Sequence, residues 1–277
     1  MNALKRGAGY AVLTVFALVF IYPFILSAAT TLKPRDEAVA HPVLPWPLNP
    51  EMRAWENLLI HSDFPVWTLN SVIVTVFATL LRLFLASLAG YALARLNWRG
   101  RGVVFAGVIA VLAVPPIVLT VPRFLVLKEL GLINTYSGLI LPLAVDAVGV
   151  FIMKQFFDGL PKELEEAARI DGAGIFTTYW RIILPLARPG LLTLAILSFQ
   201  GTWNEFLLPL IVVRASPEHW TLPFGLSTLG KGGAMGQTWD YPVMMAGSML
   251  TILPLAIVFI VLQRFFVGGM TSGALKG

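Results

Sequence analysis

Three ionisable residues, Arg82, Asp146 and Glu205, lie within long apolar runs of the sequence. A charged side chain at the centre of a membrane helix costs about 2.5 to 3.5 kcal/mol on insertion scales, so such residues usually face a water-filled cavity or a partner. Trp203, Asn204 and Glu205 are consecutive. They combine an aromatic face with hydrogen-bonding groups, which is chemistry that holds sugars. The same five residues equally suit bracing of helices or contact with a second subunit, and their pairing is left open.

Patterns for catalysis or metal binding are missing from the sequence. The chain has no cysteine, and its three histidines, at positions 41, 61 and 219, lack the spacing of a metal site or a general base. The stretch "GLSTLGKGG" from Gly225 resembles a phosphate-binding loop. However, Gly232 stands where a Ser or Thr would hold magnesium, and no strand precedes it. We therefore expect no catalytic residue, metal or cofactor in this chain.

Six apolar segments position these residues. Of the 277 residues 57% are hydrophobic and 13% are charged, whereas a soluble domain is about 25% charged. Runs of about 20 apolar residues span a bilayer, and the first run is too long for a cleavable signal peptide. We predict an all-α integral membrane protein that forms one domain over residues 1–277. The predicted spans are at about 7–32, 65–94, 102–122, 132–156, 189–213 and 241–265.

The distribution of Lys and Arg orients these spans. Six spans place both termini on one side of the membrane. With the termini in the cytoplasm, twelve Lys and Arg residues lie inside and seven lie outside, which is the usual asymmetry of membrane proteins. The sequence has no clustered basic patch, so we expect no nucleic-acid partner. We therefore expect a multi-pass protein with cytoplasmic termini.

Two loops face the outside in this arrangement. The first runs from Thr31 to Phe64, where the second apolar run begins, and is called the 31–63 loop. It is rich in proline and is predicted to run extended before a short helix at about 51–60. The second covers about 216–240. Each suits either a simple connector or a docking surface for an external partner.

A polar segment at 158–188 interrupts the apolar pattern on the cytoplasmic side. Pro161 suits the first turn of a helix, and Gly172 supplies the permissive backbone that ends one. A helix of about eleven residues is marginal alone in water, so it must pack against another surface.

Two faces of this helix stand out. Glu165 and Arg169 form a favourable i, i+4 pair. A face of mostly small side chains recurs at i, i+3, i+4 and i+7 and comprises Leu164, Ala167, Ala168 and Asp171. A helix lying on the membrane surface is the alternative, but alanines and charges of mixed sign favour a protein partner.

The spacing E-A-A-x3-G-x9-I-x-L-P in this segment resembles the EAA loop of ABC importer permeases. Seven residues carry it: Glu166, Ala167, Ala168, Gly172, Ile182, Leu184 and Pro185. Further stretches, among them "LNSVIVTV", "AGYALARLNWRGRG", "SFQGTWNEFLLPL" and "LQRFFVGGMTSGALKG", extend the resemblance to nearly the whole chain. They are similar to the carbohydrate-uptake subgroup, in particular to its shorter, maltose-type permease.

The resemblance implies the machinery around this chain. It implies a helical type I importer core in a bacterial or archaeal cell membrane, a second homologous permease that forms a heterodimer, two ATP-binding subunits and an external solute-binding protein. ATP and Mg would be bound by the ATPase subunits, and this chain would be no enzyme. The implied substrates are disaccharides or oligosaccharides, with glycerol phosphates and other polyol-type solutes as a minority.

The resemblance also implies a role for each matched residue. Glu166 would contact the ATPase, the adjacent alanines would permit close seating, and Gly172 would permit the turn. The return into the fifth span would be anchored by Ile182, Leu184 and Pro185. The C-terminal "TSGALKG" would reach the ATPase pair, whereas a free terminus is disordered by default.

Two other classes of protein explain less of the sequence. An ion-coupled secondary transporter would use Asp146 and Glu205 as proton or sodium sites, but it leaves the EAA spacing without a reason. A membrane-embedded enzyme would need catalytic groups that converge near one face.

Overall fold

The structure is a computed structural model that describes the backbone of residues 2–229 and 240–274. Side chains are described for residue 7 and for residues 9–229 and 240–261. All regular secondary structure within these ranges is helical, so the all-α prediction is confirmed. The phosphate-loop-like "GKGG" lies at 230–233 and the end of the tail at 275–277, both outside the described residues.

The helices fall into three groups by length. The longest are α1 (Asn2–Thr30), α4 (Phe64–Arg95) and α15 (Tyr241–Ala274). Those of intermediate length are α5 (Arg101–Leu112), α6 (Thr120–Glu129), α7 (Tyr136–Ala144), α8 (Ala147–Asp158), α9 (Glu163–Ile170), α12 (Arg188–Trp203) and α14 (Leu222–Leu229). The shortest are α2 (Arg35–Ala40), α3 (Arg53–Leu59), α10 (Ile175–Thr178), α11 (Leu184–Leu186) and α13 (Leu207–Val212).

Among the described residues, four helical segments are long and apolar enough to cross a membrane: Gly9–Thr30, Phe64–Arg95, Tyr136–Asp158 and Tyr241–Val261. Two further pairs qualify only if each bent pair is one span. These pairs are Arg101–Leu112 with Pro116–Glu129, bent by 100°, and Ile175–Leu186 with Arg188–Trp203, bent by 75°. The described residues thus hold four to six candidate spans, and each of the six predicted segments overlaps one of them.

The fifth predicted segment, 189–213, is not one continuous helix. Helix α12 ends at Trp203 and α13 begins at Leu207. Pro209 lacks the N–H that a continuous helix would donate to the carbonyl of Glu205. Pro209 therefore removes one hydrogen bond that would favour a continuous helix across Glu205.

The described residues group into two compact units. One contains the chain up to Trp67 together with Phe224–Pro254, and the other contains Thr68–Pro223 and the chain from Leu255 onward. In the second unit α4 and α8 are in direct contact, because a Cβ added to Gly90 would lie 2.7 Å from the Cβ of Met153. A residue larger than glycine at position 90 would separate these helices.

Within the part of the second unit that the structure describes, two apolar clusters lie in the core. Their buried members are Val74, Ala78, Leu127, Leu139, Leu143, Leu208, Val212 and Val213 in one cluster. In the other they are Ala86, Tyr91, Met153, Phe157, Tyr179, Ile183, Ala187 and Leu194. Helix α4 contributes residues to both clusters, so it links the two ends of this core.

The 31–63 loop is more structured than the extended chain that was predicted. Helix α2 occupies Arg35–Ala40, and α3 (Arg53–Leu59) lies inside the predicted helix at 51–60. The prediction of an extended run was wrong because composition shows the prolines but not the tertiary hydrogen bonds that fold the loop around them.

Candidate functional site

The EAA loop, residues 158–188, is built around α9. This helix covers eight residues, Glu163–Ile170, with three acidic residues in its first turn and Arg169 in its last. Both sets complement the helix dipole. Pro161 precedes the N-cap, Lys162, so its predicted place in the first turn was wrong, and the helix is shorter than the eleven residues expected.

Gly172 ends α9 as predicted. Its φ is +78°, in the left-handed region that favours glycine. The amide of Gly172 donates to the carbonyl of Arg169 (3.1 Å), and the amide of Ala173 donates to that of Ala168 (2.9 Å). These two bonds form a Schellman motif, which fixes the direction in which the chain leaves the helix.

The predicted face of Leu164, Ala167, Ala168 and Asp171 is divided between two surroundings. Leu164 packs against the cluster around Tyr179, and Ala168 is buried. Glu166 and Ala167 are exposed. Consecutive residues of a helix point about 100° apart, and here the chain itself covers Ala168 while Ala167 stays exposed. Ala168 seats α9 on its own chain, and Ala167 faces outward.

Apolar side chains accompany the exposed residues of α9. Ile170 is 87% exposed and Phe176, just beyond the helix, is 74% exposed. Sequence reasoning missed both, although large apolar side chains within a charged loop were the signal that could have identified them. Together with Glu166 and Ala167 they define the outward surface of the EAA loop.

Arg95, the last residue of α4, anchors the EAA loop. Its side chain is 2% exposed, and its Nε lies 3.2 Å from Oε2 of Glu165. Its Nη2 donates to the carbonyl of Pro161 at 2.9 Å. The ion pair of Glu165 is therefore with Arg95, and the predicted pair with Arg169 is corrected. Sequence separation hid this contact, because nothing local connects the two positions.

The return from the loop is also tied to α4. A π-helical turn covers Tyr179–Ile183, and such turns are frequent at functional sites. The hydroxyls of Tyr179 and Ser87 lie 2.7 Å apart in a buried hydrogen bond. Ile183 is fully buried, and Ile182 and Leu184 pack against the same cluster. Pro185 lies in the short helix that follows.

Arg82 and Asp146 form an ion pair. Nη1 of Arg82 lies 3.0 Å from Oδ2 of Asp146, and its Nε donates to the carbonyl of Leu143 at 2.8 Å. Val145 and Asp146 are extended, which separates α7 from α8, and a side-chain oxygen of Asp146 accepts from the amide of Gly149. The pair therefore satisfies backbone groups on both sides of a helix break, which an apolar medium requires.

The three residues of the segment Trp203–Glu205 lie in different surroundings. Trp203 is 1% exposed and stacks on Phe199 with ring centroids 5.8 Å apart, so it presents no open aromatic face within this chain. Oε1 of Glu205 accepts from the amide of Leu208 at 3.0 Å and so caps α13. Asn204 is exposed, with its amide nitrogen 2.9 Å from the carbonyl of Gln200.

Two residues near the start of α4 hold the segment after α13. Nδ2 of Asn70 donates to the carbonyls of Glu218 and Trp220 at 2.8 and 2.9 Å. Oγ of Ser71 accepts from the amide of Leu222 at 2.7 Å. Both residues belong to the stretch "LNSVIVTV". Composition did not indicate which groups their polar side chains would contact. Helix α4 thus carries polar contacts at its start, middle and end.

Residues 83–272 match the family described as binding-protein-dependent transport system inner membrane component. The chain is 36% identical to the arabinooligosaccharides transport system permease protein AraQ of Bacillus subtilis (strain 168), over 95% of this chain and 93% of that protein. It is 33% identical to the diacetylchitobiose uptake system permease protein NgcG of Streptomyces coelicolor, over 96% and 88%.

A solved structure has the same fold. It is the crystal structure of a bacterial ABC transporter involved in the import of the acidic polysaccharide alginate, with a TM-score of 0.82 and 24% identity over 96% of this chain and 97% of that one. The likeness in structure, the family match and the relatives agree with the resemblance carried by the EAA spacing. The chain belongs to the family of binding-protein-dependent transport system inner membrane components and is a permease subunit of an ABC transporter, not an enzyme.

Proposed function

We propose that this permease forms half of the translocation path of an ATP-driven importer for disaccharides or oligosaccharides. The two relatives named above are permeases for arabino-oligosaccharides and for diacetylchitobiose, which supports a short glycan as the substrate. Uptake of a glycerol phosphate or another polyol-type solute by the same machinery is the second candidate. Paired uptake assays with labelled oligosaccharides and with glycerol phosphate separate the two.

The proposed assembly contains a second, homologous permease, two ATPase subunits that bind ATP and Mg, and an external solute-binding protein. The six apolar segments cross the cell membrane of a bacterium or archaeon with both termini in the cytoplasm. The excess of Lys and Arg on that side supports this orientation. It also places the EAA loop where ATPase subunits can reach it.

The outward surface of the EAA loop is the observation that carries the proposal. Glu166, Ala167 and Ile170 are exposed on α9, while the opposite side of the helix is packed on its own chain. An exposed surface with a large apolar residue beside charges suits a protein partner. ATP favours one state of the importer only if the ATPase subunits bind the two states of the permease differently. A firmly seated α9 transmits that difference to the rest of the permease.

Transmission continues into α4 through Arg95 and Ser87. Arg95 holds both Glu165 and the carbonyl of Pro161, and Ser87 holds Tyr179. A displacement of the EAA loop therefore acts on α4 at two levels. Arg95 is a positioning residue in this proposal, because it acts on the ATPase only through α9.

Energy coupling is tested in proteoliposomes that contain the permease with its cognate second permease, ATPases and binding protein. We expect sugar uptake that requires internal ATP and persists without an ion gradient. The Glu166→Lys variant is expected to lose uptake and uptake-coupled ATP hydrolysis, while sugar still binds the external protein. Glu129→Lys makes the same charge change at an exposed residue outside the loop and serves as the control. Uptake driven by an ion gradient without ATP, or undiminished in Glu166→Lys, contradicts the proposal.

Within the membrane, we propose that Asn204 and Glu205 contact the sugar. Asn204 is exposed in this chain and Glu205 is partly exposed, so both can reach a path shared with the second permease. Arg82 and Asp146 keep the break between α7 and α8 open, and Trp203 supports the end of α12. Uptake kinetics of Asn204→Ala and Glu205→Gln, with expression matched, test this assignment: a raised KM is expected, and normal uptake in both variants removes them from the path.

A further inference from the structure

The 31–63 loop contains an apolar segment that the importer proposal does not use. Residues 38–50 include no Asp, Glu, Lys or Arg. Val43 is 69% exposed and Trp46 is 57% exposed, and Val39 and Leu48 are exposed as well. Four exposed apolar side chains within ten residues indicate a binding partner or a membrane.

Lys33 lies inside the loop and donates hydrogen bonds to backbone carbonyls of this segment. Its side chain is 1% exposed. Its Nζ donates to the carbonyl of His41 at 2.9 Å and to that of Leu44 at 2.7 Å. Lysine is almost never buried unless it is paired, so this cation is committed to the fold of the loop.

Glu37 does the same for backbone donors. Its buried carboxylate accepts from the amide of Leu48 at 2.7 Å and from that of Asn49 at 3.0 Å. Prolines at positions 42, 45 and 47 have no N–H to satisfy. Water would satisfy these carbonyls and amides in an ordinary surface loop, whereas a loop exposed to lipid must satisfy them internally.

The segment also lies beside a membrane-spanning helix. The hydroxyl of Tyr22 donates to the carbonyl of Val43 at 3.0 Å. Tyr22 is eight residues before the end of α1 at Thr30, which is about 12 Å along the helix. None of the most apolar window of α1 is buried within the chain. The loop therefore folds back along the apolar surface of α1, to a depth well inside the span.

We propose that residues 39–48 insert into the membrane leaflet that holds the C-terminal end of α1 and contact lipid there. Trp46 is placed as an interfacial anchor, in the manner of the aromatic belts of membrane proteins. Charged residues flank the segment on both sides, with Arg35 and Asp36 before it and Glu51 and Arg53 after it. The inference needs α1 to span the membrane, but it does not depend on the transported solute or on the ATPases.

Spin labels test the occupant directly, because the native chain has no cysteine. Val43→Cys, Trp46→Cys and the control His61→Cys, an exposed position in the same loop, are each labelled with a nitroxide. The complete importer is then reconstituted in phosphatidylethanolamine and phosphatidylglycerol vesicles. Collision rates are measured with oxygen, which concentrates in lipid, and with a water-soluble nickel chelate.

Lipid contact predicts an oxygen-to-nickel ratio at positions 43 and 46 several times that at position 61. A high nickel rate at 43 and 46 places the segment in water and overturns the proposal. Low rates with both reagents show that a protein, either the second permease or the solute-binding protein, covers the segment, and this also overturns it. The two test positions, 43 and 46, guard against a variant that disturbs its own site.

Discussion

The EAA loop and the 31–63 loop are each held by a buried cation that donates to the backbone. Arg95 holds the carbonyl of Pro161 in the EAA loop, and Lys33 holds two carbonyls in the 31–63 loop. Their surfaces differ. The EAA loop exposes charged residues around Ile170. Within the 31–63 loop, residues 38–50 contain no Asp, Glu, Lys or Arg and expose Val43 and Trp46, while Lys33 and Glu37 beside them are buried.

This difference separates two kinds of environment. A surface that mixes charges with a few apolar side chains suits a protein partner in water, since both kinds of group find complementary contacts there. A surface from which charges are withdrawn suits lipid, where an unpaired charge is costly. The direction in which the charged side chains point is therefore more informative than the number of charges in each loop.

Removing Arg95, the cation of α4 that holds the EAA loop, is expected to have the largest effect. Arg95→Ala leaves the carboxylate of Glu165 without its cation and the carbonyl of Pro161 without its donor, and loss of one partner of a buried pair costs about 3–5 kcal/mol. We expect ATP-driven uptake to fall by at least about tenfold. Arg99→Ala, at an exposed position four residues later, should transport normally.

A double-mutant cycle with Glu165→Ala shows whether this loss reflects the pair. The double variant should lose less than the sum of the two single losses. Additive losses in the cycle, or full uptake in Arg95→Ala, would show that the loop is held in another way.

Removing the cation from the 31–63 loop should have the next largest effect. Lys33→Met leaves two carbonyls without a donor, at about 1–3 kcal/mol each. We expect a lower melting temperature in detergent and a more mobile spin label at Val43→Cys. Lys128→Met, at an exposed lysine, provides the matched control. An unchanged melting temperature and label mobility would mean that the loop does not depend on Lys33.

The helix end at Gly172 gives a smaller, purely conformational test. Gly172→Ala forces a side chain into φ +78°, although no atom lies within 4 Å of the new Cβ, and this strain costs about 1–2 kcal/mol. Gly174 has φ −73° and equally open space, so Gly174→Ala is a close control. We expect uptake-coupled ATP hydrolysis to fall in the first variant only; equal values in both would show that the turn geometry does not affect coupling.

Protonation of Glu37 should have the smallest effect near neutral pH. Burial raises the pKa of Glu37, but hydrogen bonds from the amides of Leu48 and Asn49 outweigh it, and the resulting pKa lies below the ordinary value of 4.5. A lowered pKa contributes stability above the unfolded value that is lost as pH falls through the folded one. The label at Val43→Cys should therefore stay immobile from neutral pH to 4.5 and loosen only below it.

Glu37→Gln supplies the control for this titration. Its side chain keeps an acceptor oxygen but cannot titrate, so the mobility of the label should not change with pH. Loosening of the loop at pH 6 to 7 in the native sequence would assign its pH dependence to another group.

Local patterns predicted the helical class, the apolar segments and the helix end at Gly172, because periodicity, length and glycine conformation act over a few residues. They did not predict which alanine of α9 faces outward. Helical spacing gives the angle between Ala167 and Ala168, but only packing against the core fixes where either one points.

The sequence also did not predict contacts between residues that are far apart along the chain. Arg82 in α4 pairs with Asp146 between α7 and α8, and Arg95 at the end of α4 pairs with Glu165 in α9. The fold of the 31–63 loop depends in the same way on Lys33 and Glu37, whose charges suggest an exposed loop until their partners are known.

Accessibility of the two alanines of α9 tests the coupling surface most directly. Ala167→Cys and Ala168→Cys are treated with a water-soluble maleimide in the permease pair, with and without its ATPase subunits. We predict that Ala167→Cys reacts in the permease pair and is protected once the ATPases bind, while Ala168→Cys stays unreactive in both. Equal labelling of Ala167→Cys with and without the ATPases, or ATPase-dependent protection of Ala168→Cys instead, would contradict the proposed docking surface.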